Sequence, residues 1–130
     1  MTISILDTNV LLRFLVGDNK AQKTKAIKWF KEATRGKRTI LVKPVIIAEA
    51  VFVLESFYKH SRETIMSSML PFLAMPVLHV EDRDALLHLW NDFLGGLHFV
   101  DAYLLSSARL QDTEILTFDK QLNRLRDGQT

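Results

Sequence analysis

The stretch Ile3-Ser4-Ile5-Leu6-Asp7-Thr8-Asn9-Val10-Leu11-Leu12 decides how this chain is read. Residues 3–6 are aliphatic and β-branched, as in a short buried strand, and the polar Asp-Thr-Asn that follows closes it in a turn. From Val10 the pattern changes to a helical turn or two over residues 10–15, stopped by Gly17.

Working outward, Asp18 or Asn19 can cap a helix running to about residue 34. Its apolar stripe is Ala26, Ile27, Trp29, Phe30 and Ala33, and Gly36 lies at its stop. Residues 39–42 read as a second strand, and Pro44 suits the first turn of a helix that carries Glu49 and extends to about residue 59. Ser61 is an N-cap for a helix through Ile65, Met66, Met69 and Leu70, which Pro71 should kink or end. A third strand over residues 77–80 follows Pro76. Asp82 then caps a helix over residues 83–93, terminated by Gly95-Gly96. The next helix starts between residues 98 and 101 and runs to about residue 110. Residues 114–118 read as a fourth strand, with a last helical turn at Leu122 and Leu125. Short strands separated by helices imply a parallel α/β sheet, since each strand-helix-strand unit returns the chain in the same direction.

At 130 residues and 14.9 kDa, the chain is expected to form one domain over residues 1–130 with a single core. The absence of cysteine excludes disulfides, thiolate zinc sites and thiol nucleophiles. No apolar run reaches the roughly 18 residues of a membrane span. The N-terminus lacks the basic n-region of a secretory signal, so no membrane association and a cytoplasmic location are expected. Net charge is only +2, but Lys20, Lys23, Lys25, Lys28, Lys31, Arg35, Lys37 and Arg38 crowd one segment. Such a segment is either a solvated helix face or an attraction for a phosphate backbone.

Four acids interrupt apolar runs. Asp7 ends the first strand, Glu49 divides Val45-Ile46-Ile47-Ala48 from Ala50-Val51-Phe52-Val53-Leu54, Asp101 follows Phe99-Val100, and Asp119 follows Ile115-Leu116-Thr117-Phe118. A carboxylate in apolar surroundings must find a partner, take up a proton or destabilise the fold. Three of the four have structural readings: Asp7 as the start of an Asx-turn or the cap of the following helix, Asp101 and Asp119 as helix N-caps. Glu49, in mid-helix, has no capping role. Asp7 and Asp119 fall at the carboxyl ends of expected strands, where open α/β sheets bind ligands. Several convergent carboxylates suit a hard divalent cation, Mg²⁺ or Mn²⁺, which would polarise a phosphoryl oxygen and activate water.

At these residues the chain resembles the PIN-domain ribonucleases, and among them the VapC-type toxins of toxin-antitoxin pairs. The resemblance rests on Leu6-Asp7-Thr8-Asn9-Val10-Leu11-Leu12-Arg13, Ala48-Glu49, Phe99-Val100-Asp101-Ala102 and Thr117-Phe118-Asp119, and spans nearly the whole chain. It implies a three-layer α/β/α fold with a short central parallel sheet. It also implies Mg²⁺- or Mn²⁺-dependent cleavage of RNA, a homodimer and a cognate antitoxin partner. The family's acidic tetrad falls on Asp7, Glu49, Asp101 and Asp119, with Thr8, Asn9 and Thr117 placed to orient the ligands or metal-bound water. One position departs from the pattern: many relatives have a further Asp three residues before Asp101, where this chain has His98. One tightly held ion is therefore expected rather than two.

Two other functions compete. A phosphatase or phosphotransfer domain would use Asp7 as nucleophile, but position 9 is Asn and Lys120 comes after Asp119. A non-catalytic domain would keep the acidic pocket and act by binding RNA or an inhibitory partner.

Overall fold

In the computed structural model, which describes residues 1–128, three strands pair in parallel in the order β1 (Thr2–Ile5), β2 (Arg38–Val42), β3 (His79–Val80). Ile5 lies opposite Leu41 and Val42 opposite Val80, so all three strands point their carboxyl ends to one edge. The fold class is α/β, as the alternation of strands and helices implies. The chain divides into two compact units, Met1–Glu81 and Asp82–Thr130.

The first unit contains the sheet. Helix α1 (Thr8–Val16) follows β1 and ends where Gly17 adopts φ 74°, a left-handed conformation that costs glycine nothing. Helix α2 (Lys20–Thr34) is capped by Asn19, whose side chain accepts from the Gln22 N–H at 3.0 Å. It buries Ala26, Phe30 and Ala33, and its lysines face outward. Helix α3 (Pro44–Ser56) begins with Pro44, where a missing N–H is harmless, and buries Ile47, Ala50, Val51 and Leu54. Helix α4 (Arg62–Leu73) is capped by Ser61 through the Thr64 N–H. Pro71 neither ends nor is buried in α4; it is exposed in the last turn. Phe14, Phe30 and Phe72 join three helices of this unit in an aromatic cluster with centroids 4.5 to 6.4 Å apart.

The second unit is helical. Helices α5 (Arg83–Leu87) and α6 (Trp90–Leu94) stand where one helix over residues 83–93 was expected. At the junction the Trp90 indole N–H donates to the Leu86 carbonyl at 2.8 Å, tying the start of α6 back to α5. Helix α7 (Phe99–Gln111) packs on both, with Trp90, Phe93 and Phe99 in mutual ring contact. Ser106 donates from a buried position to the Ala85 carbonyl at 2.8 Å. Helix α8 (Lys120–Arg126) packs against α7.

Three further expectations are corrected. The third strand is only two residues long, and α3 stops at Ser56, with Lys59 at φ 59° in the link to α4. The fourth strand, over residues 114–118, does not form among the described residues. The side-chain amide of Asn123 takes both ladder groups of Ile115, bonding its N–H at 3.0 Å and its carbonyl at 2.7 Å. Leu116 and Phe118 stand almost wholly exposed.

Candidate active-site acids

Asp7 occupies the N-cap position of α1 with extended backbone (φ −91°, ψ 149°), yet its side chain makes no capping hydrogen bond. An Asx-turn or cap therefore does not explain it. The carboxylate is exposed and borders a cleft of about 220 Å³ walled by Ile5, Val10, Trp29, Phe30 and Ile40. Arg38 also lines this cleft, held by Glu32 at 2.9 Å and donating to Ser4 Oγ at 2.7 Å. Thr8 is buried at the first position of α1, whereas Asn9 is exposed and lines an adjoining cleft of about 270 Å³ with Arg13, Gln22, Lys25 and Trp29.

Glu49 does not sit in the apolar setting that its neighbours in sequence suggest. It is exposed, because α3 buries the face of Ile47, Ala50, Val51 and Leu54 and turns Glu49 to the other side. The side chains one turn away on that side, Val45 and Phe52, are 71% and 64% exposed. The acids of the first unit therefore avoid the desolvation expected of them. Among the described residues, neither Asp7 nor Glu49 accepts a side-chain hydrogen bond or joins an ion pair, so their oxygens are uncommitted. Both lie on segments leaving the carboxyl ends of adjacent parallel strands, β1 and β2, the edge at which such sheets take ligands.

In the second unit, Asp101 is half-buried in the first turn of α7, where the N-terminal helix dipole favours a negative charge. The N-cap there is His98, not Asp101, and His98 is exposed with no side-chain capping bond. Asp119 is the N-cap of α8 and does act as one: its Oδ1 accepts from the Gln121 N–H at 2.9 Å. Thr117 Oγ1 in turn accepts from the Asp119 N–H at 3.0 Å, so these two predicted residues are joined directly.

Among the described residues, no group of three or more His, Asp or Glu side chains is gathered as a metal centre. The donor set suits a hard cation: carboxylate oxygens, no thiolate, and two acids in the first unit without competing partners.

The basic segment lines a separate cleft of about 530 Å³ through Lys28, Lys31, Arg35 and Lys37. Its one acid, Glu32, is already engaged by Arg38. Sequence reading placed Trp29 in the apolar stripe of α2 and Lys25 in the basic segment, and missed that Trp29 lines the Asp7 cleft with Lys25 over its ring. Their four-residue spacing was the available signal, since it stacks a cation over an aromatic ring on one helix face; Lys25 Nζ lies 5.3 Å from the Trp29 centroid.

A family model described as PIN domain matches residues 4–128. No curated protein and no solved structure matches the chain. No helix among the described residues is long and apolar enough to cross a membrane.

Proposed function

The chain belongs to the PIN-domain family, whose members are generally nucleases, and from that premise we propose that it is a metal-dependent endoribonuclease acting as the toxin of a toxin-antitoxin pair. Asp7, Glu49, Asp101 and Asp119 are its proposed acids, and Mg²⁺ or Mn²⁺ its cofactor. The observation that carries the reading is Asp7: a carboxylate at a helix N-cap just past the carboxyl end of β1, whose side chain makes no capping bond and opens instead onto a cleft. A structural acid at that position would bond the N2 or N3 amide.

A divalent cation, when bound, polarises a phosphoryl oxygen and lowers the pKa of water. The chain's own groups then have separable roles. Uncommitted oxygens of Asp7 and Glu49 offer charge without first having to break a protein hydrogen bond. Asp119 divides its carboxylate between the α8 cap and this role, and Thr117 holds its backbone in place. The outward lysines of α2 and the cleft of Lys28, Lys31, Arg35 and Lys37 draw a polyanion toward the first unit.

The toxin assignment rests on Leu6-Asp7-Thr8-Asn9-Val10-Leu11-Leu12-Arg13 and Thr117-Phe118-Asp119, and it brings a cognate antitoxin, a homodimer and a cytoplasmic location with it. Exposed Val45, Phe52 and Phe57 in the first unit, and Val100 and Leu104 on α7, are apolar surface that such protein partners would cover. Purified protein freed of any antitoxin should cleave members of a broad RNA panel with Mg²⁺ or Mn²⁺ and stop when EDTA is added. RNA binding that persists in EDTA, with no cleavage of any substrate when metal is present, would favour the non-catalytic reading.

A further inference from the structure

We propose that Trp29 is a stacking platform for one unpaired RNA base beside Asp7, with Lys25 receiving the adjoining phosphate. The inference rests on the ribonuclease reading above and deepens it by naming how the substrate is held.

Trp29 is set apart from the other aromatic residues of α2 and from the chain's second tryptophan. Phe30 is buried in the aromatic cluster, and Trp90 is buried with its indole N–H bonded to Leu86. Trp29 is only half-buried, and its indole N–H has no hydrogen-bond partner among the described residues. The ring stands where two clefts meet. Both are lined by Trp29 and Val10, but only the one of about 220 Å³ contains Asp7, and only the one of about 270 Å³ contains Lys25.

The two clefts share Val10 and Trp29 but differ in the charged groups they add. The first is walled mainly by apolar side chains and is smaller than the roughly 300 Å³ at which clefts begin to hold drug-sized ligands, so it suits a single ring system. Among the described residues, the second holds no acid and carries two cations, Arg13 and Lys25, beside Val10 and the same indole. Of its two cations, Arg13 is occupied by Asp18, Gln22 and Tyr58, whereas Lys25 has its ammonium over one side of the Trp29 ring, where it can meet the phosphate of a base held from the other cleft. A base against the indole and its phosphate at the ammonium is the combination by which single strands are held, and every base has a face that can stack. A duplex cannot use it, because its bases are already stacked on one another. The arrangement therefore selects unpaired RNA and places the backbone next to a base bound beside Asp7.

Tryptophan emission reads this directly, and in EDTA it does so independently of cleavage. Titration with a short single-stranded RNA should quench Trp29 and leave buried Trp90 unaffected. Trp29→Phe should abolish the quench and keep the affinity for labelled RNA within about threefold, because a ring remains. Trp29→Leu, with its fold checked by circular dichroism, should weaken binding about tenfold or more. Lys25→Ala should reduce the salt dependence of binding by about 0.7 in log-log slope, one single-strand phosphate contact. RNA that binds without quenching, an unchanged affinity in Trp29→Leu, or equal quenching by a polyphosphate lacking bases would each overturn the proposal. A protein that quenches with RNA but never cleaves with Mg²⁺ or Mn²⁺ loses the nuclease reading and keeps this one. A protein that cleaves without the quench does the reverse.

Discussion

The side chain of Asn123 holds the backbone of Ile115 at both ends, accepting from its N–H at 3.0 Å and donating to its carbonyl at 2.7 Å. One amide thus substitutes for the two bonds that a neighbouring strand would supply, and the segment leading to Thr117 and Asp119 is fixed by α8. Asn123→Ala should cost about 1–3 kcal/mol, two part-buried hydrogen bonds, in urea unfolding. It should also release the Ile115 amide to fast hydrogen exchange. Unchanged exchange at Ile115 would mean that something else holds the segment.

Asp119 combines a cap with a proposed functional charge, and two substitutions separate them. Asn caps a helix about as well as Asp, so Asp119→Asn should leave the melting temperature nearly unchanged while removing RNA cleavage. Asp119→Ala should lose cleavage and about 1 kcal/mol of stability as well. Paired thermal melts and cleavage assays distinguish this from a purely structural Asp119, for which only the Ala variant would be impaired.

Glu49 is exposed and has no side-chain partner among the described residues, so Glu49→Gln should change stability by no more than about 0.5 kcal/mol. If the carboxylate helps hold the cation, the Mg²⁺ or Mn²⁺ concentration for half-maximal cleavage should rise about tenfold or more. A metal titration that overlays the wild type would remove Glu49 from the site.

Tyr58 and Arg13 meet at Asp18, tying the end of α1 to the link before α4. The Tyr58 hydroxyl donates to Asp18 at 2.7 Å and Arg13 pairs with it at 3.1 Å; these hold its carboxyl below the usual value, with the Tyr58 bond the largest cause. The same bond raises Tyr58 above the usual phenol value. A depressed acid contributes stability above its unfolded pKa and loses it as pH falls through the folded value, so this contribution fades below about pH 4. A raised phenol contributes below its unfolded pKa and loses it as pH rises through the folded value, above about pH 10. Tyr58→Phe should therefore lower the melting temperature most at neutral pH, and the gap to wild type should narrow at pH 3. A gap independent of pH would show that Asp18 is not its partner.

The parallel sheet was legible because β-branched runs alternate with capped helices, and Asn19, Pro44 and Ser61 mark helix starts by chemistry that acts within one turn. What sequence left hidden depends on side chains that reach across turns. At the break before Trp90 an indole bonds a backbone carbonyl of the preceding helix, and within residues 114–118 an amide from eight positions later bonds both backbone groups of Ile115. The four acids stand out in the sequence, but their surroundings do not follow from it. Apolar neighbours in sequence implied burial, whereas helix periodicity turns Glu49 outward and Asp7 stands at an open cleft. Trp29 was hidden for the converse reason, since a residue in an apolar stripe at the edge of its buried arc remains half in solvent.

The most direct test is the Asp7→Asn variant, assayed on RNA with Mn²⁺ beside its thermal melt. Because the Asp7 side chain makes no capping bond, the variant should melt within about 0.5 kcal/mol of wild type while cleavage falls to the level seen with EDTA. Full cleavage by a folded Asp7→Asn protein would contradict the account.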